Sequence, residues 1–272
     1  RFFSSQCAFP ERNSLLVRVE TDSGIVGWGE GGQYGPAEPV ASCINHVLAP
    51  QVVGRDPCEP VRLWEELYAA TRDFGQKGAY IEAMSALDIA LWDIRGKVLG
   101  QPIYELLGGP VRTDAPAYAS MLGYSLDLEK AYQRTQEKVA EGYTGLKWFP
   151  LYGPTDGREG MRKNVALAET LREAAGRDVD IMLDAWMSWN KPYTLEFARN
   201  VAHLDIKWIE EPVMPDKIQL CAEINARSVV PIATGEHEYT RWGQKELLDA
   251  GASEYLQADT YWAGGLSEMV KI

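Results

Sequence analysis

Residues 205–212 read Asp205-Ile206-Lys207-Trp208-Ile209-Glu210-Glu211-Pro212. A short apolar run closed by acids and a proline has the pattern of a buried β-strand with its functional end exposed to a loop. Two further runs end in the same way. Ile181-Met182-Leu183 leads into Asp184, and Pro231-Ile232-Ala233-Thr234 is closely followed by Glu236. The spacing between the acids is constant, 26 residues each time (210 − 184 and 236 − 210). That is about the length of one strand, one helix and their connections.

Working outward, strand-like runs occur at 115–120, 145–149, 180–184, 205–210, 229–234 and 254–258, with helical segments between them at 126–141, 162–175 and 194–202. Repeated strand–helix units with short connections predict a parallel sheet, and six in succession predict an α/β barrel of the TIM type. A doubly wound sheet is the alternative. It ranks lower because no glycine-rich phosphate loop follows the first strand. In a barrel, successive strands would bring Asp184, Glu210 and Glu236 to one rim, the C-terminal face where such enzymes keep their active sites.

Upstream of residue 112 the rhythm differs. Leu15–Glu20 and Ile25–Glu30 flank Thr21-Asp22-Ser23-Gly24, which predicts a hairpin. Helices are predicted over 36–48 and 57–70, each opening at a proline, and over 78–99, where Ile81, Met84, Leu87, Leu91 and Ile94 recur at helical spacing. Residues 1–111 therefore read as an α+β domain and residues 112–272 as the barrel domain.

Composition narrows the partners. The chain is 46% hydrophobic and 24% charged, with a net charge of −12 and no basic run. Nucleic acid and membrane surfaces are poor partners for such a chain, and no apolar run approaches the ~20 residues of a membrane span. The four cysteines, Cys7, Cys43, Cys58 and Cys221, form no Cys-x-x-Cys pair. That pattern predicts reduced thiols in a cytoplasmic protein.

Three convergent carboxylates repel one another unless a cation lies between them, and an all-oxygen set with room for water and substrate suits Mg²⁺. The competing reading makes each acid an ordinary surface residue just past a strand. Even spacing on three apolar strands counts against that. Glu210 and Glu211 face opposite ways on a strand, so only one of them can point at a metal, and the pattern alone does not choose.

Trp208-Ile209-Glu210-Glu211-Pro212, Gly235-Glu236 and Leu183-Asp184 resemble the three metal-ligand motifs of the mandelate racemase group of the enolase superfamily. Glu82-Ala83-Met84-Ser85-Ala86-Leu87-Asp88-Ile89-Ala90-Leu91-Trp92-Asp93-Ile94-Arg95-Gly96-Lys97 is similar to that group's N-terminal helix signature. The resemblance covers essentially the whole chain with the motifs in order. It implies an α+β capping domain on a modified (β/α) barrel, with Asp184, Glu210 and Glu236 as Mg²⁺ ligands. It also implies abstraction of a proton α to a carboxylate, giving an enediolate.

In racemases of this group the second strand ends in Lys-x-Lys, the second Lys being one of two bases. This chain reads Lys147-Trp148-Phe149. A phenyl ring carries no proton, so one face of the substrate lacks its base. One base suffices for syn elimination of water, which favours an acid-sugar dehydratase over an epimerase, racemase or cycloisomerase. Lys147 is then expected as an electrostatic contact to the substrate carboxylate.

Asp184-Ala185-Trp186-Met187-Ser188, Gly235-Glu236-His237-Glu238 and Gly153-Pro154 resemble rhamnonate dehydratases and their close relatives. His237, Arg241 and Trp186 are the candidate substrate contacts. The weighed alternatives are a packed histidine, a surface salt bridge and a core tryptophan. Trp189 and Trp242 are further candidate pocket walls, and residues 31–35 match the position of a capping loop that often sets specificity, the alternative being glycines that simply make a turn. Asp259 matches the carboxylate that orients the base histidine of the seventh strand. None of the three histidines, His46, His203 and His237, matches that base. The expectation is therefore a fragment, its barrel truncated at the C-terminus and lacking a first strand at the other end. A homo-oligomer acting on a small sugar acid is expected, and the alternative outside enzymology is a non-catalytic binding or structural relative.

Overall fold

The computed structural model describes residues 2–5, 7–9, 13–32 and 35–272. Its strands are β1 (Phe2–Ser4), β2 (Cys7–Phe9), β3 (Leu15–Glu20), β4 (Val26–Gly31), β5 (Ala119–Ser120), β6 (Gly145–Trp148), β7 (Asp180–Asp184), β8 (Ile206–Glu210), β9 (Ile232–Thr234) and β10 (Tyr255–Leu256). Its helices are α1 (Glu38–Cys43), α2 (Ala49–Val52), α3 (Pro60–Ala70), α4 (Ala79–Leu99), α5 (Ile103–Leu106), α6 (Leu128–Ala140), α7 (Gly157–Ala175), α8 (Lys191–Val201), α9 (Ile218–Asn225), α10 (Thr240–Ala250), α11 (Thr260–Ala263) and α12 (Leu266–Met269). A π-helical turn, Ile44–Leu48, joins α1 to α2 and carries the predicted first helix a full turn beyond its expected end. Among the described residues, no helix is long and apolar enough to cross a membrane.

The chain divides into two compact units. One comprises Asp114–Gly235 and Glu246–Gln257 together with the antiparallel pair β1–β2. It is built on a six-stranded sheet in the order β10-β9-β8-β7-β6-β5, every neighbour parallel. This is the strand–helix alternation expected of the barrel domain. Strands of such a sheet are covered on both faces. Leu146, Trp148, Ile181, Leu183, Ile209 and Ile232 point into the main core with Leu167, Leu171, Phe197 and Val201 from the helices. Met182, Trp208 and Ala233 form a small cluster of their own.

One irregularity decides which side chains share that second face. Ile181 pairs with Ile206, but Met182 pairs with Trp208, so Lys207 is an extra residue in β8. A bulge of this kind reverses the alternation beyond it. Ile206 and Ile209 therefore both reach the main core, and Trp208 and Glu210 fall on the same side as Met182 and Asp184.

The second unit comprises the described residues of Arg12–Thr113 with Glu236–Lys245 and Ala258–Ile272. The hairpin β3–β4 is antiparallel, as predicted, and Gly24 supplies the positive φ of its turn (+82°). Along β4, Gly27, Gly29 and Gly31 face α4 at alternate positions. A Cβ added at Gly29 would lie 1.9 Å from the Ala86 carbonyl oxygen, and one at Gly27 would lie 2.2 Å from that of Ala90. The strand thus rests directly on helix backbone, which the alanines of α4 leave accessible. That close approach explains why α4 is buried around most of its circumference, including Ile81, Met84, Leu87, Leu91 and Ile94.

Residues 258–272 are tied to α3 and α4 by buried hydrogen bonds within this unit. The Trp64 indole donates to the Gly264 carbonyl (2.7 Å), and the Gly264 N–H donates to Ser85 Oγ (2.9 Å). The buried Asp88 carboxylate accepts from the Ser267 N–H (2.8 Å) and hydroxyl (2.5 Å). Burial pushes the Asp88 carboxyl up to about 7 against the opposing pull of these donors.

Candidate active site

Strand parity places Lys147, Asp184, Trp208 and Glu210 on one face of the parallel sheet, at the C-terminal ends of β6, β7 and β8. Asp184 and Glu210 are direct register partners. Both are deeply buried, at 2% and 0% exposure. Two carboxylates so placed need a counter-charge, and Lys147 provides it. Its Nζ lies 2.5 Å from Glu210 Oε1 and 3.2 Å from Asp184 Oδ2. Burial is the largest influence on this ammonium and works against its charge, but the fields of Asp184 and then Glu210 outweigh it and hold the pKa above the ordinary lysine value. The rings of Tyr118 and Phe149 lie 5.7 and 5.6 Å from the same nitrogen, which adds cation–π attraction.

The remaining carboxylate oxygens are held in fixed directions. The Trp186 backbone N–H donates to Asp184 Oδ1 (2.9 Å), and the Trp208 indole donates to Glu210 Oε2 (2.9 Å). The Ser5 hydroxyl donates to the Asp184 carbonyl (2.9 Å). Trp186 and Met187 carry positive φ values of 41° and 64°, so the chain turns sharply immediately after Asp184. Glu211 also has a positive φ (40°), and its backbone joins β9 through a bond from its N–H to the Ala233 carbonyl (2.9 Å).

Oxygen donors on adjacent strand ends, buried and compensated by a cation at short range, fit a divalent metal of the hard class. Glu236 follows the last residue of β9 by two positions, as the even spacing requires. Its carboxylate lies 3.6 Å from His237 Nδ1. His237 meets the Trp262 ring edge-on at 5.2 Å. The Asp259 carboxylate caps α11 by accepting from the Tyr261 N–H (2.7 Å). Burial raises its pKa, opposed by the N–H groups of Tyr261 and Trp262 and by the neighbouring His237.

Arg241, a candidate substrate contact, has its guanidinium engaged by two carboxylates. NH1 lies 2.6 Å from Glu268 Oε2, and the Arg241 backbone N–H donates to the other oxygen at 2.8 Å. NH2 reaches Glu65 (3.3 Å), and the guanidinium stacks 4.0 Å over the Trp242 ring. Glu268 is 0% exposed, and a buried carboxylate requires such a partner. Trp189 and Trp242, the candidate pocket walls, both pack against other rings. Trp189 packs into the main core against Tyr193 and Phe197, and Trp242 stacks on Tyr68. Gln33 and Tyr34 of the expected capping loop lie outside the described residues.

Trp208 was missed as a site residue, although it stands two positions before Glu210 and so shares its face. Tyr118 was missed as well. Its strand carries no acid or base at its end, so nothing in the sequence marks it.

Residues 5–108 match the mandelate racemase/muconate lactonizing enzyme N-terminal domain, and residues 130–272 match the enolase C-terminal domain-like family. A curated L-rhamnonate dehydratase from Saccharopolyspora erythraea is 35% identical over 261 residues, covering 95% of this chain and 63% of that protein. The crystal structure of L-rhamnonate dehydratase from Gibberella zeae superposes with a TM-score of 0.83 at 35% identity, covering 95% of this chain and 62% of that one. The structure of 3,6-anhydro-D-galactonate cycloisomerase from Zobellia galactanivorans gives a TM-score of 0.87 at 31% identity, over 100% and 74%. The chain thus spans less than two thirds of the length of the rhamnonate dehydratases it matches. Two domain matches in sequence order, on a fold with strand-end acids in register, place this chain in the mandelate racemase group of the enolase superfamily.

Proposed function

We propose that the protein containing this chain dehydrates a sugar acid, with L-rhamnonate the first substrate to test, to a 2-keto-3-deoxy acid. Mg²⁺ is the proposed cation, held by Asp184, Glu210 and Glu236. The observation that carries this reading is the pair Asp184–Glu210, buried in register around a single ammonium, with Phe149 two residues beyond Lys147. When bound, the metal supplies Lewis-acid stabilisation of the negative charge that develops on the substrate carboxylate.

This chain's residues define the rest. Lys147 is proposed to contact the substrate carboxylate once a bound metal offsets the charge of Asp184 and Glu210. Phe149 is apolar and buried and can neither accept nor return a proton, so the reaction proceeds with one base. That base removes the proton from C2, and the C3 hydroxyl leaves as water from the same face. The resulting enol takes a proton at C3 on becoming the ketone. Asp259, half-buried and held by the Tyr261 N–H, is proposed to orient the base imidazole.

A second reading, cycloisomerisation, is favoured by the likeness to the Zobellia cycloisomerase. The two readings separate on the product. The gene product containing these residues should be purified, stripped with EDTA and incubated with a panel of sugar acids and semicarbazide. The expected result is a 2-keto acid semicarbazone that forms only after Mg²⁺ is restored. Formation of an isomer without loss of water would favour the second reading. Turnover unaffected by EDTA would overturn the metal assignment.

A further inference from the structure

We propose that Trp208 is a positioning residue for the metal site, its indole N–H fixing the orientation of the Glu210 carboxylate. This rests on the assignment of Glu210 as a ligand. An indole N–H can only donate, so the 2.9 Å contact to Glu210 Oε2 has one possible sense. Glu210 is fully buried, and Oε2 is thereby committed to Trp208 while Oε1 turns towards Lys147 and Asp184. Without that donor the carboxylate could rotate, and a buried lone pair would lose its partner.

The indole is itself held on both sides. Tyr118 meets it edge-on with centroids 6.0 Å apart, and Tyr255 lies against it at 5.0 Å. These residues come from β10 and from just before β5, the two outer strands of the sheet, and Trp208 is buried between them. The bulge at Lys207 makes the arrangement possible, because it sets Trp208 and Glu210 on the face that Asp184 occupies. Partners that orient a ligand in this way typically change metal affinity 10- to 100-fold when removed.

Trp208→Phe retains a ring between the two tyrosines and removes only the N–H. Its Mg²⁺ affinity should fall about 10-fold by calorimetry, with the urea midpoint close to that of the unmodified protein. In a ¹⁵N spectrum the indole resonance lost in Trp208→Phe identifies Trp208, and in the unmodified protein that resonance should move on Mg²⁺ addition. A merely structural tryptophan would show neither effect. If the unmodified protein binds Mg²⁺ and Trp208→Phe binds it equally well, Trp208 has no such role and the metal assignment stands. If the unmodified protein binds no Mg²⁺, both assignments fall together.

Discussion

Asp184 and Glu210 face each other across adjacent parallel strands because Lys207 is bulged out of β8. In an unbroken ladder continuing from Ile181–Ile206, Asp184 would stand opposite Ile209, and Glu210 would point to the other side of the sheet. The metal assignment rests on this register. Asp184→Asn, Glu210→Gln and Glu236→Gln should each abolish Mg²⁺ binding measured by calorimetry. Glu211→Gln should weaken it far less. Equal losses at Glu210 and Glu211 would reverse the ligand assignment.

Arg241 should matter for stability rather than for substrate affinity. Arg241→Ala leaves the fully buried Glu268 without its main partner, and breaking a buried pair costs about 3 kcal/mol or more. Urea denaturation should register that loss. A variant that melts normally while its KM for substrate rises would restore the substrate-contact reading.

The helix signature in 82–97 was legible as a helix, yet its reason for being rich in alanine was not. Periodicity marks which residues are buried, and it cannot reveal that Gly27, Gly29 and Gly31 bring a strand into contact with helix backbone. The strand-end acids were legible because apolar runs punctuated by charge survive in one dimension. Which of Glu210 and Glu211 shares a face with Asp184 was not, because one bulged residue reverses the alternation. The ion pair of Arg241 was hidden for a similar reason. Its partner Glu268 is 27 residues away, and no local pattern signals that a surface-looking glutamate is buried.

Gly29→Ala should destabilise strongly, by about 3 kcal/mol, since its Cβ would overlap the Ala86 carbonyl oxygen at 1.9 Å. Gly24→Ala has open space around it and strains only the backbone, at φ +82°, so it should cost about 1 kcal/mol. Thermal melts of the two variants test the close approach. Equal melting temperatures would contradict it.

Asp88 should make stability depend on pH. Its folded-state pKa, about 7, lies above the ordinary value of 3.8, so the folded state binds its proton more tightly than the unfolded chain does. The contribution is complete below about pH 4, declines as pH rises, and is lost once pH passes about 7. Asp88→Asn cannot titrate, so its unfolding free energy should vary less over that interval. A slope that Asp88→Asn leaves unchanged would assign the effect to another group.

The most direct test of the one-base proposal is turnover of a sugar acid substrate in D₂O, followed by NMR of the product and of recovered substrate. The proposed one-base elimination predicts deuterium at C3 of the 2-keto-3-deoxy product and substrate that keeps its configuration at C2. Inversion at C2 without release of water from any sugar acid would contradict the one-base reading and make the enzyme an epimerase.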